Sequence, residues 1–270
     1  MEIIWLLVLM LAIGAFAGVV AGLLGVGGGI ILVPAYYYAF SSLGYAGEGL
    51  MQISVATSLA TIIVTSVRSV LGHHKKGAVE WDILRGWAPG IAVGAVLGMV
   101  LATGLKSQTL MLVFGVLGVV VGLYLGLGRA HWRLGEQMPT GVARAILSPV
   151  VGFLSTLMGI GGGSFGVPLM ALYGRPIHHA VATAAGFGVI IAVPSTFGFL
   201  LSGGGEAGAP PFTIGRVNLV AFAVTVSMTM LTTPIGVKLA HRMNPKPLKR
   251  VFAVFIIIMA ANMLRKALLA

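Results

Sequence analysis

The chain has 270 residues, 58% of them hydrophobic and only 9% charged, with a mean hydropathy of +1.03. Soluble domains carry about 25% charged residues, so a water-soluble globular fold is excluded, and the absence of cysteine excludes disulfides and thiolate metal sites. The net charge of +11 comes mostly from basic loops between apolar runs, so it points to a membrane and gives no reason to expect a nucleic-acid partner.

The first ten residues, MEIIWLLVLM, have no basic n-region and no small-residue cleavage site, and they read as a retained membrane segment rather than a signal peptide. Apolar runs of about 20 residues, long enough to cross the hydrocarbon core as helices, recur to the end of the chain. They do not alternate as the strands of a membrane barrel would. The first run is broken at GLLGVGGGIILVP, residues 22–34, and plain spans follow near 50–71, 86–104 and 109–127. A polar stretch, GRAHWRLGEQMPTG, lies midway. A second broken run, TLMGIGGGSFGVP at 156–168, precedes spans near 179–201, 216–240 and 248–268.

This order repeats. Gly18 pairs with Gly152, Gly25 with Gly159, Gly27–Gly29 with Gly161–Gly163 and Pro34 with Pro168. The VAT at 55–57 pairs with the VAT at 181–183, and Gly98 with Gly236. A shared period is the first feature to settle in reading a fold. The expected organisation is a first membrane repeat over 1–128, a cytoplasmic connector over 129–141 and a second membrane repeat over 142–270.

Basic residues concentrate in the loops GHHKKGAVEWDILR, GRAHWRLGEQMPTGVAR and HRMNPKPLKR, whereas SSLGYAGEG and SGGGEAGAPPFTIG hold none. The positive-inside rule makes the first three cytoplasmic. An even number of crossings must then separate the connector from the loop at 241–250, so the broken run enters and returns on one side. The expected fold is therefore an all-α polytopic membrane protein of two homologous, inverted repeats. Each repeat has a glycine-broken helical hairpin and three transmembrane helices, an arrangement common in secondary transporters. Two features oppose it: residues 3–24 are long for half a hairpin, and Arg265 and Lys266 would lie outside. Eight ordinary crossings are the alternative.

Broken backbone is tolerated at membrane depth only where protein or a watery cavity surrounds it. A helix restarting after Gly27, Gly28 and Gly29, or after Gly161, Gly162 and Gly163, offers unpaired N–H groups and the positive end of its dipole, which suits an anion. Ser164 adds a hydroxyl at the second break. The competing reading is close helix packing by small residues. In the span at 50–71, Ser54, Thr57, Ser58, Thr61, Thr65 and Arg68 recur at helical spacing, and the second copy keeps Thr183. Arg68 either snorkels to the cytoplasmic surface or lines an anion path.

All six acids, Glu2, Glu48, Glu80, Asp82, Glu136 and Glu206, fall in tails or loops. Intramembrane carboxylates are the usual proton relays and cation partners, so a cation substrate is not expected. No H-E-x-x-H or G-x-x-x-x-G-K-[ST] occurs, and the adjacent pairs His73–His74 and His178–His179 point to different helix faces. No enzyme activity, metal or cofactor is expected. A membrane scaffold or assembly subunit is the other class of function.

The segments GVVAGLLGVGGGIILVP (18–34) and GFLSTLMGIGGGSFGVP (152–168), with the VATS and VATA helices after them, resemble the sulfite exporter TauE/SafE family. The resemblance covers nearly the whole chain. It implies a multi-pass permease of the bacterial inner membrane that exports sulfite, organosulfonates or other organic anions, with homo-oligomerisation left open. The resulting expectation is alternating access about an anion site. Gly27, Gly28, Gly29, Gly161, Gly162 and Gly163 supply N–H groups there; Ser164, Thr57, Ser58 and Thr183 supply hydroxyls; Arg68 attracts the charge.

Overall fold

A computed structural model of the chain describes residues 2–45, 47, 49–128, 133–203, 208–242 and 245–269, the side chains of 2–6 and 245–252 excepted. The start of the connector, the tip of the 241–250 loop, Glu48 and Glu206 therefore lie outside the described residues. Among those described, the chain forms ten helices. The first five are α1 (Glu2–Leu24), α2 (Gly29–Ser42), α3 (Leu50–His74), α4 (Trp81–Gly104) and α5 (Ser107–Leu127). The others are α6 (Gly141–Leu157), α7 (Gly163–Leu172), α8 (Ile177–Leu201), α9 (Leu219–Arg242) and α10 (Pro245–Leu269). A two-residue strand pair, Thr213–Ile214 with Val217–Asn218, leads into α9. Six of the helices, α1, α3, α4, α5, α8 and α9, are long and apolar enough to cross a membrane. The protein is an all-α polytopic membrane protein.

The α3–α8 pair forms the centre, and α3 is buried over most of its length. Around it, α1 lies along α9, α4 along α6 and α5 along α10, while α2 packs on α3 and α7 on α8. The outer helices turn their large apolar residues outward, as a lipid-facing surface requires: Val93, Leu97 and Val100 of α4, and Val116 and Val120 of α5.

Rows of glycine set the long side-by-side contacts, two of them between helices running in the same direction. On α1, Gly14, Gly18 and Gly22 face Thr225, Thr229 and Thr233 of α9 in the same chain direction. On α4, Gly90, Gly94 and Gly98 face Ser148, Pro149 and Phe153 of α6, again in the same direction. Within a membrane, helices gain little from apolar burial against one another, and small residues at every fourth position let backbones approach. A Cβ at Gly94 would overlap the Pro149 backbone. Gly94→Val is therefore expected to cost about 1–3 kcal/mol by overpacking, read as a lower melting temperature. Gly104→Ala, where a Cβ meets nothing within 4 Å, should leave it unchanged.

At the first glycine cluster the chain turns back. A Cβ at Gly28 would lie 3.0 Å from the Ala17 carbonyl oxygen, so the start of α2 folds against α1. Two turns along α2, the Tyr36 hydroxyl bonds Thr225, the residue that faces Gly14 of α1.

Candidate functional site

The first break spans residues 25–28, with Gly25, Gly27 and Gly28 at φ 66°, 73° and 81°. This left-handed backbone costs an ordinary residue about 1–2 kcal/mol. The second break, at 158–162, uses one such glycine, Gly159 at φ 64°. Two similar glycine strings therefore turn by different routes.

The two breaks cross in direct backbone contact. The Gly161 N–H donates to the Val26 carbonyl at 3.1 Å. A Cβ at Gly161 would lie 2.6 Å from the Val26 oxygen, and one at Gly163 would lie 2.6 Å from the Val26 nitrogen. Gly29 faces the Gly159 oxygen and, at 2.8 Å, Ile160 Cα. Gly162 faces Phe187 and Ala184 of α8. All six glycines named from the sequence thus sit at or beside one crossing, where no side chain intervenes.

Helix α3 runs past this crossing and ties it down. The Ser58 hydroxyl donates to the Gly159 carbonyl at 2.7 Å and that of Thr65 to Gly27 at 3.1 Å. Farther along, His73 Nε2 lies 3.0 Å from the Gly22 carbonyl oxygen. Ser66 is fully buried, and its hydroxyl has no hydrogen-bond partner. It faces Gly27 on one side and Gly188 on the other, with the Gly162 amide beside the same spot. Ser164, in the first turn of α7, is 2% exposed and equally unpartnered, as is Ser155 one turn before the second break. Unpaired buried hydroxyls are uncommon and call for an explanation.

The other sequence candidates lie elsewhere. Thr57 is buried; its hydroxyl donates to Ile53 and accepts the Asn218 N–H, at the start of α9, at 3.0 Å. The Thr183 hydroxyl accepts the Glu80 N–H, at the start of α4, at 2.9 Å. The two VAT threonines thus do matching work, each fastening the first turn of a helix in the other half of the chain. Arg68 is exposed beside exposed Val67, away from the hydroxyl row. The row continues instead through Ser69 to His73. Sequence reasoning missed Ser66, Ser69 and His73, although the spacing of three and four that marked Thr61 and Thr65 runs on to 69 and 73. The adjacent histidines part: His73 meets His241, whereas His74 accepts from the Trp81 indole at 3.2 Å. Among the described residues, no group of three or more His, Asp or Glu is placed to hold a metal.

A cavity of about 490 Å³ lies at the far ends of α2 and α10, lined by Tyr38, Asn262, Arg265, Lys266 and Leu269. The Lys266 ammonium sits 4.6 Å above the Tyr37 ring, a cation–π contact that steadies one of the basic residues the charge pattern left outside.

The glycine crossing spans the two motifs that carried the sequence resemblance, and residues 10–263 match the family described as Sulfite exporter TauE/SafE. The chain belongs to the sulfite exporter TauE/SafE family. A probable membrane transporter protein of Haemophilus influenzae is 30% identical over 260 residues, covering 96% of this chain and 98% of the relative. Others, also named probable membrane transporter proteins, come from Methanocaldococcus jannaschii (23% identical; 97% of each chain) and Bacillus subtilis (25%; 95% of this chain and 97% of the relative). No solved structure matches. Membership in the TauE/SafE family places the glycine crossing in a transporter, embedded in a bilayer and serving a small-molecule substrate.

Proposed function

We propose that this TauE/SafE protein exports small sulfur-containing anions, sulfite or organosulfonates, across the bacterial inner membrane by alternating access, and that the glycine crossing is its anion site. The observation that carries the reading is the pair of unpartnered buried hydroxyls, Ser66 and Ser164, beside the free first amides of α2 and α7. Everything unpaired there can donate. A sulfonate or sulfite offers only acceptor oxygens and a negative charge, so donors and helix dipoles favour it together. Thr57 and Thr183 hold the frame, Ser58 braces the second break, and Arg68 snorkels at the basic end.

The architecture we propose for this is two inverted repeats, 1–128 and 142–270, joined through a cytoplasmic connector. Support comes from the helix pairing: α1 with α9 has its counterpart in α6 with α4, and α3–α8 and α5–α10 pair corresponding helices. It comes also from chain direction. α1 runs with α9, whose start lies by Thr57 near the beginning of α3, and α6 runs with α4, which starts by Thr183 near the beginning of α8. The hairpins α1–α2 and α6–α7 would then open to opposite faces. Lys75, Lys76, Arg85, Arg144 and Arg175 gather at the end where α4 begins, which we assign to the cytoplasm. In this conformation the two breaks touch, so an anion is admitted only when they part. Each break belongs to a different repeat, so parting them moves one repeat against the other.

The test is flux into liposomes holding only the purified protein, comparing sulfite, taurine, sulfoacetate, sulfate and acetate. Saturable flux of a sulfur anion supports the reading. Equal flux of acetate would make it a general organic-anion permease, and no flux from folded protein would favour the scaffold. Ser66→Ala and Ser164→Ala should each leave the melting temperature within error, since no bond is lost. Each should raise KM about tenfold or more, the worth of a hydrogen bond to a charged group.

A further inference from the structure

We propose that His73 and His241 form a binding site for a single proton, taken up together with the anion; the second half of this statement rests on the transport reading above. His73 is 1% exposed, at the last turn of α3, and His241 sits at the last turn of α9. Their rings face each other, with His73 Nδ1 3.1 Å from His241 Nε2, while His73 Nε2 lies 3.0 Å from the Gly22 carbonyl oxygen.

A carbonyl oxygen can only accept, so the His73 proton sits on Nε2. Nδ1 of the neutral ring is then an acceptor, and His241 must donate from its own Nε2. This arrangement has one vacancy, Nδ1 of His241. A proton arriving there makes His241 an imidazolium without disturbing either bond, and it can pass along the His241–His73 hydrogen bond to the buried ring. A second proton is refused, because two N–H groups would then oppose each other at 3.1 Å. The capacity of the pair is therefore one.

The surroundings link that proton to an anion. Lys76, from the turn after α3, and His178 and His179 of α8 face His241, and the His178 ring stacks on it with centroids 5.7 Å apart. His178 also faces His73. Lys238 and Arg242 are neighbours on α9 itself. Glu80 is occupied by Arg175 at 3.4 Å and His179 at 3.6 Å, His74 is turned to Trp81, and α1 presents the Gly22 carbonyl. A proton thus joins a predominantly basic neighbourhood, and a bound anion offsets it. Thr65 holds the first break and His73 lies eight residues farther along α3, roughly 12 Å away by helix rise. At that separation opposite charges assist each other by roughly tenfold in affinity, and the assistance is reciprocal. With no acid in the interior of any apolar run of the sequence and Asp82 only in the first turn of α4, this imidazole pair can do the work that buried carboxylates do in other carriers.

His73→Gln tests it, because the amide can still donate to Gly22 and accept from His241 but cannot take a proton. Nitrogen-15 NMR of the purified full chain without any anion, titrated from pH 8 to 5, should show His73 and His241 changing together in one single-proton step. In H73Q that shared step should give way to titration of His241 alone, and in H241Q, which removes the vacant Nδ1, it should vanish. In liposomes, an imposed pH gradient should drive sulfoacetate accumulation by the wild type about tenfold above equilibrium, while H73Q keeps sulfoacetate exchange and loses the accumulation. His241→Gln provides a second variant with the same expectation for accumulation should H73Q fold poorly. Independent titration of the two rings, or two protons bound, overturns the proton site whether or not the protein transports. Undiminished gradient-driven accumulation in either variant overturns the coupling. Single-step titration without any flux leaves the proton site standing and overturns the transport reading instead.

Discussion

Gly163→Val is expected to lower anion flux at least a hundredfold and to lower the melting temperature measurably. Valine cannot be placed at this position without moving backbone: its Cβ would overlap the Gly25 carbonyl and lie 2.6 Å from the Val26 nitrogen. No flexible side chain stands there to swing aside. The second break would be pushed off the first, the Gly161 N–H to Val26 bond would lengthen or break, and overpacking in a tight interior costs about 1–3 kcal/mol. Gly28→Ala is the informative contrast. Its φ of 81° penalises any side chain by about 1–2 kcal/mol, yet its Cβ would meet Ala17 alone, the oxygen at 3.0 Å and Cβ at 3.4 Å. That variant should melt lower and still transport at a reduced rate, because the crossing survives. Paired measurements of liposome flux and thermal unfolding separate the two. Wild-type flux in Gly163→Val would remove the crossing from the transport path.

The sequence made the spans and breaks legible because they rest on local physics. Apolar length places a helix near 50–71, and the structure has one at Leu50–His74; GxGGG forbids a continuous helix, and both clusters interrupt one. The use of the polar residues was not legible, because their partners are remote. Thr57 looks like a free hydroxyl until Asn218, 161 positions later, donates to it, and His73 looks like a loop residue until His241 arrives from 168 positions away. The α3 stripe runs on past exposed Arg68: Ser66 faces the crossing, whereas Ser69 and His73 face the Ala21 and Gly22 carbonyls at the end of α1. The evenly spaced glycines Gly14, Gly18 and Gly22 were legible as small residues, but only α9 lying against them shows what the spacing is for.

The paired threonines yield the second large effect. Thr57→Val and Thr183→Val keep the side-chain shape and remove the acceptor, so the Asn218 and Glu80 N–H groups, bonded at 3.0 and 2.9 Å, are left without partners at the first turns of α9 and α4. Stranding a buried donor costs about 1–3 kcal/mol. The two bonds lie at opposite ends of the bundle and share no partner, so the costs should add, lowering the melting point of the double variant by roughly 4–24 °C at about 2–4 °C per kcal/mol. Thr→Ser at either position keeps the oxygen and should recover most of the loss. Substrate KM in the single valine variants should stay within twofold of wild type, since these hydroxyls are already spent on the frame. A tenfold rise in KM with an unchanged melting point would instead make them anion ligands. Each half of the chain would then lose a fastening to the other, and a different explanation would be needed for why the same VAT threonine stands at the same place in both.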